Sequence, residues 1–232
     1  MKERKKSLIL LTICYKKLAK LEIMIKGFDK FNNYQLFFVL VFFYLSSRLI
    51  LNLYGIVTDP NMMVSMWQIL DLNLLNNNLF SSLYYLHYQP PFWNFILGIM
   101  VKFNGPDYLK LTNTIYYFNL IISIASIWIF ILISKTFNLR NIHIFLLSLI
   151  FITLSLSYFF YENYTHYTHL TTFIYILFIY NYLKFSENFY LKYELNIYLI
   201  STMLVYTWSA YSHPLFIVLI FASILIIKNK IN

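Results

Sequence analysis

The sequence predicts an all-α integral membrane protein, and three observations carry that prediction. Hydrophobic residues make up 60% of the chain and charged residues only 12%, about half the roughly 25% that soluble domains carry. Mean hydropathy is +0.63, and the apolar residues gather in runs near the ~20 residues a helix needs to cross a hydrocarbon core about 30 Å thick. Nine of the 18 Lys and Arg lie in residues 1–33 and most others flank apolar runs, the distribution that membrane insertion leaves. That distribution also turns the formal charge of +9 away from nucleic acid. Cys14 is the one cysteine, which excludes an intramolecular disulfide and a thiolate metal cluster.

Taken in order, residues 1–33 are basic with short apolar patches. The stretch 7–15 resembles a signal core, but no small-residue cleavage site follows it, so it reads as a cytoplasmic helix lying on an anionic membrane surface. Residues 34–232 read as one polytopic membrane domain. Its first span, 34–54, contains Arg48 about two turns from the outer end. A charge there either snorkels to the headgroups or contacts a phosphate. The first extracytoplasmic loop, 55–111, is long for a connector. Within it, Pro60 fits a helix start, 62–75 has apolar residues at helical spacing that suit an interfacial amphipathic helix, 76–82 breaks that pattern, and 84–88 supplies an aromatic belt.

Residues 91–103 are apolar but short, and whether they cross decides the topology that follows. Crossing would put Lys135, Arg140, Lys184, Lys192, Lys228 and Lys230 outside. A juxtamembrane helix puts all six inside, as the positive-inside pattern favours. Later spans then fall at 112–134, 141–160, 167–183, 196–210 and 213–227, about six in all with both termini cytoplasmic. The outer face collects Asp59, Asp71, His87, residues 158–169 and Tyr211-Ser212-His213.

Several of those residues are equipped for chemistry. Asp59, just past the first span, can act as a general base toward a hydroxyl, hold a divalent cation, or cap the next helix. Asp71 falls at the far end of the interfacial helix, near its polar face, as a substrate contact or a solvated group. In His87-Tyr88-Gln89-Pro90-Pro91, Pro90 and Pro91 end any preceding helix and pre-set the next. The N-terminus of that next helix then faces the loop, where its free N–H groups and dipole favour an anion such as phosphate, with His87 a second donor or part of an interfacial collar. Glu162 and His166 are spaced i, i+4, as are Thr165 and His169, so each pair would share a helical face. Two His and one Glu at a polar boundary read as hydrogen-bonded interface residues more readily than as a metal site. No zinc, Walker or dinucleotide-binding motif occurs, and no cofactor is called for beyond a divalent cation as one option.

In order and spacing, the chain resembles membrane glycosyltransferases of the GT-C fold that take sugars from polyprenyl-phosphate donors, including the protein O-mannosyltransferase and aminoarabinose-transferase families. The resemblance rests on about 50 residues: a first span, the early acid Asp59, the interfacial helix, His87-Tyr88-Gln89-Pro90-Pro91-Phe92 entering a juxtamembrane helix, and the stop Phe103-Asn104-Gly105. It implies that Asp59 deprotonates an acceptor hydroxyl, which displaces a lipid phosphate in one inverting step. It also implies that the Pro-Pro helix start, His87 and Arg48 stabilise the leaving phosphate. The family's Asp-Glu pair is Asp59-Pro60 here, and Gln89 and Asn94 stand where some members have a Lys. Members usually have more than six spans, so the chain reads as an N-terminal portion, a truncated form, or a module that works with a partner subunit.

The expectation is therefore an envelope transferase in a bacterial cytoplasmic membrane, N-terminus inside, acting on a polyprenyl-phosphate-linked sugar and an unidentified acceptor. Two other classes stay open. A transporter or flippase would carry ionisable groups mid-membrane, and a non-catalytic subunit would co-purify with a larger transferase.

Overall fold

The computed structural model describes residues 27–58, 69–85, 91–163, 166–188 and 190–207. The described residues form helices and no strands. Helix α1 (Asn33–Leu53) opens with a reciprocal cap: the Asn32 side chain accepts from Gln35 N, and the Gln35 side chain accepts from Asn32 N. It ends in a left-handed Gly55 (φ +79°). There Gly55 N donates to Asn52 O and Ile56 N to Leu51 O, closing the last carbonyls as a Schellman turn does. Its 21 residues span about 32 Å at 1.5 Å per residue.

Two stripes on α1 define its surroundings. Leu36, Leu40, Tyr44 and Arg48 are buried, while Phe38, Phe42, Leu45, Leu49 and Leu53 are exposed. A continuous exposed apolar stripe on one helix is unusual on a surface that faces water.

Short helices α2 (Leu72–Asn77) and α3 (Leu79–Tyr84) lie beside α4 (Pro91–Asn104). Gly98 on α4 is the point of closest approach, because a Cβ there would overlap Leu79 Cδ1. Helix α5 (Tyr108–Thr136) is capped by Asp107, whose side chain accepts from Leu109 N and Lys110 N. Asn138 (φ +54°) closes its far end, with Asn138 N on Lys135 O and Leu139 N on Ser134 O. At 29 residues α5 is about 43 Å long, and it belongs to both halves of the core. One half packs on α2–α4 and the later helices through Leu111, Ile115 and Ile122. The other packs on α1 through Ile127 and Ile131.

Helices α1 and α5 run antiparallel. Tyr34 stacks on Trp128 with ring centroids 5.3 Å apart at one end, and Asn52 donates to Tyr116 Oη (3.2 Å) at the other. The segment joining them therefore leaves and returns on one side.

The expected span 141–160 is not a single helix. Helix α6 (Asn141–Ser148) passes into a π-helical turn (Leu149–Thr153), in which Leu154 N reaches back to Leu149 O. The chain restarts as α7 (Leu156–Glu162), with Ser155 as its N-cap. The wide turn frees the carbonyls of Ile152 and Thr153, which accept from Arg48 instead. Helices α8 (Thr168–Asn188) and α9 (Leu191–Thr207) form a hairpin, tied by Asn196 Nδ2 donating to Asn181 Oδ1 (3.0 Å). At the α1-start end, Asn141 donates to Phe31 O (2.7 Å) and accepts from Lys135 Nζ (2.6 Å). Beside it the Arg140 guanidinium, hydrogen-bonded to Asp29, holds that carboxyl below the usual carboxylate range.

Among the described residues two helices, α1 and α5, are long and apolar enough to cross a membrane, and they coincide with the expected spans 34–54 and 112–134. Helices α8 and α9 fall at the expected 167–183 and 196–210 without meeting that test, and 213–227 lies outside the described residues.

Candidate functional site

The polar groups converge where the end of α1, the start of α5 and the end of α7 meet. Arg48 and Glu162 form an ion pair with both residues buried, 3% and 0% exposed. Nε of Arg48 donates to Oε1 (3.0 Å) and Oε2 (3.1 Å), and Nη2 donates to Oε2 (2.9 Å). The remaining donors reach Thr153 O (2.8 Å), Ile152 O (3.1 Å) and Ser47 Oγ (3.1 Å). The guanidinium is also sandwiched, its carbon 4.5 Å from the Tyr44 ring centre and 5.3 Å from that of Phe159. All five N–H groups of an arginine are thereby engaged by the protein.

Glu162 has further partners on α5. Its backbone carbonyl accepts from Asn119 Nδ2 (2.8 Å) and its Oε2 from Ser123 Oγ (3.4 Å). Ser123 Oγ in turn lies 3.0 Å from His169 Nε2. Next along the chain, Asn163 Oδ1 accepts from Thr58 Oγ1 (3.3 Å), while Asn163 Nδ2 donates to Phe159 O (3.0 Å).

Directly beyond this cluster lies a cleft of about 420 Å³, lined by Asn52, Val57 and Thr58 from one wall and Leu109, Asn113, Tyr116 and Tyr117 from the other. The amides of Asn52 and Asn113, the Thr58 hydroxyl and two tyrosines line it together with Val57 and Leu109, so hydrogen-bonding groups sit among apolar surface. Among the described residues no group of three His, Cys, Asp or Glu is arranged to hold a metal ion.

The sequence-predicted site residues fare differently. Arg48 and Glu162, read separately from the sequence, meet directly. Glu162 and His166 do not share a helical face: α7 stops at Glu162 and α8 starts at Thr168. Asn163 N bonds back to Phe159 O at that helix end, which leaves His166 in the connection, its Nδ1 2.6 Å from Thr168 Oγ1. Burial depresses the His166 imidazole to about 4, so it is neutral at physiological pH. His169 is the histidine that joins the cluster, through Ser123.

Asp71 is likewise not on the polar face of a continuing helix. It is the N-cap of α2, its Oδ1 accepting from Asn73 N (2.9 Å) and Leu74 N (3.2 Å). The expected helix over 62–75 thus has a break at its described end, because a capping side chain marks a start and not a middle. Pro91 begins α4, and Asn94 in its first turns accepts from Leu70 N (2.9 Å), fastening the α2 side of the loop. Asp59, His87 and Pro90, the anion-binding segment before Pro91, and His213 lie outside the described residues. So do residues 1–26 of the basic N-terminal segment.

Asn119, Ser123 and the cleft residues Asn52, Asn113 and Tyr116 escape a motif search. Their signal is a polar stripe on an apolar span: Thr112, Asn119, Ser123 and Ser126 are all buried, at spacings that return to one helical face. No family model matches the chain, and no curated protein or solved structure is significantly similar to it.

Proposed function

We propose that the protein is a multi-pass membrane transferase of about six spans that moves a sugar from a polyprenyl-phosphate donor to an acceptor hydroxyl by a single inverting displacement. In this reading the N-terminus is cytoplasmic and the cleft opens on the extracytoplasmic face. The observation that carries it is the cleft at the shared end of α1 and α5, whose hydroxyl and amide lining ends at Thr58, the residue directly before Asp59 in the chain. Asp59 is the general base, and the leaving lipid phosphate is acidic enough to need no proton donor. The antiparallel α1 and α5 support a joining segment that does not carry the chain across, and the exposed stripe Phe38, Phe42, Leu45, Leu49, Leu53 supports a lipid-facing α1. With its donors engaged inside the protein, Arg48 serves the site by holding its frame, and the phosphate falls to His87 and the α4 start.

The test is transfer of radiolabelled sugar from polyprenyl-phosphate donors in membranes. Asp59→Asn is expected to lower the rate by about 10²–10⁴, the usual worth of a positioned general base, while insertion is unchanged. Transfer at the wild-type rate by that variant would remove the base from the mechanism. The buried Arg48–Glu162 pair also favours a second reading, a transporter, since intramembrane charges mark solute pathways. Solute uptake into vesicles that is lost on changing Arg48, with no transfer from any donor, would replace the first reading by this one.

A further inference from the structure

We infer that the C-terminal end of α7 is a staple that sets the width of the cleft, and that Glu162 and Asn163 are positioning residues for its occupant. The nature of that occupant rests on the transferase reading; the staple itself does not. The cleft has two walls, the end of α1 with the turn after it and the first turns of α5, and two consecutive residues of α7 and its cap reach both. Toward the α1 wall, the Glu162 carboxylate takes Arg48, one turn before Asn52, and Asn163 Oδ1 takes the hydroxyl of Thr58. Toward the α5 wall, the Glu162 carbonyl takes Asn119 Nδ2, one turn beyond Tyr116.

Each anchor is constrained in turn. Asn163 spends its amide N–H on Phe159 O, which leaves its oxygen to face Thr58. Glu162 and Asn119 are 0% and 1% exposed, so water does not compete for the Arg48 and Asn119 bonds, while the Thr58–Asn163 bond is half-buried. Between the walls themselves runs one direct contact, from Asn52 to Tyr116 Oη at 3.2 Å, comparable with the 3.3 Å Thr58–Asn163 bond. Spacing therefore rests on that contact together with three anchors from the end of α7, to Arg48, Thr58 and Asn119, made by Glu162 and Asn163, neither of which lines the cleft. A staple of this kind acts on how well a ligand is held, not on bond making, because it touches the walls and not the ligand.

The experiment places one thiol on each wall, Val57→Cys and Leu109→Cys, in a Cys14→Ser background, and cross-links them in membranes with bismaleimides of graded length. Thr58→Val removes the hydroxyl that Asn163 accepts from, Thr58→Ser keeps it, and Asn163→Ala removes the acceptor. The shortest linker that joins the walls is expected to lengthen in Thr58→Val and in Asn163→Ala and to return in Thr58→Ser. Where transfer is measurable, KM for the donor is expected to rise about threefold to tenfold, the worth of one neutral hydrogen bond, with kcat nearly constant. An unchanged linker preference in both Thr58→Val and Asn163→Ala overturns the staple. Absence of transfer from the parent protein bears on the transferase reading alone, since the linker measurement needs no activity.

Discussion

At the scale of single residues, the Arg48–Glu162 pair dominates. A buried ion pair adds little net stability over an apolar pair of similar volume, but removing one partner strands a charge and costs about 3–5 kcal/mol. Glu162→Leu alone, or Arg48→Met alone, is therefore expected to destabilise by that amount, and the double variant Arg48→Met/Glu162→Leu to recover most of it. Thermal unfolding in detergent across the three variants measures the coupling; additive losses would mean the two side chains do not depend on each other. The sequence marks Arg48 as a charge in an apolar run, read as snorkelling to the headgroups or contacting a phosphate; the structure instead turns its donors to Glu162 and backbone carbonyls. That partner was not legible, because residues 114 apart in the chain leave no periodic trace of their contact. Local spacing suggested His166 for Glu162, a pairing that needs a helix through Asn163, where the chain turns instead.

At the scale of elements, boundaries set by caps were legible and interruptions set by tertiary contacts were not. Gly55 and Gly105 (φ +79° and +74°) close helices where the sequence placed the loop start and the helix stop, because such terminators are local. Asn32 with Gln35 and Asp107 are local signals of the same kind that the expected spans 34–54 and 112–134 did not use. The split of 141–160 is not readable in this way, since the π turn persists through carbonyls that bond to Arg48 from another helix. Ser155, restarting α7, is its one local sign. The α3–α4 contact offers a cleaner test. Gly98→Ala forces Leu79 to move within a packed cluster, a strain of about 1–3 kcal/mol, against roughly 1 kcal/mol gained from helix propensity. A net loss of about 1 kcal/mol is expected by thermal unfolding, and Leu79→Ala in the same chain is expected to make Gly98→Ala neutral or stabilising.

At the scale of the whole molecule, the antiparallel α1 and α5 fix which ends lie together. In a Cys14→Ser background, single cysteines at Val57 and Leu109 are expected to react with a membrane-impermeant maleimide from one side, and a cysteine at Phe137 or Asn138 from the other. Labelling of Val57 and Leu109 from opposite sides would mean that α4 carries the chain across. Composition and the length of the apolar runs gave the all-helical class, and two long apolar helices among the described residues match the expected spans 34–54 and 112–134. The cleft was hidden, because its walls are 50 or more residues apart in sequence and its hydroxyls and amides are scattered singly among apolar neighbours.

The separation of Arg48 from Glu162 also has a consequence in time. A ribosome adding about 5–20 residues per second needs roughly 6–23 s to make the 114 residues between them. For that interval α1 exists with its guanidinium unmatched, and the end that later carries the cleft has no α7 to close it. A bilayer makes such a lone charge costly, which in a membrane-inserted chain would favour a shallow or tilted α1 until α7 is made. Docking of Glu162 would then draw Arg48 down to its final depth and close the frame around the cleft in the same event. The site would come into being only after the last of its scaffold is synthesised.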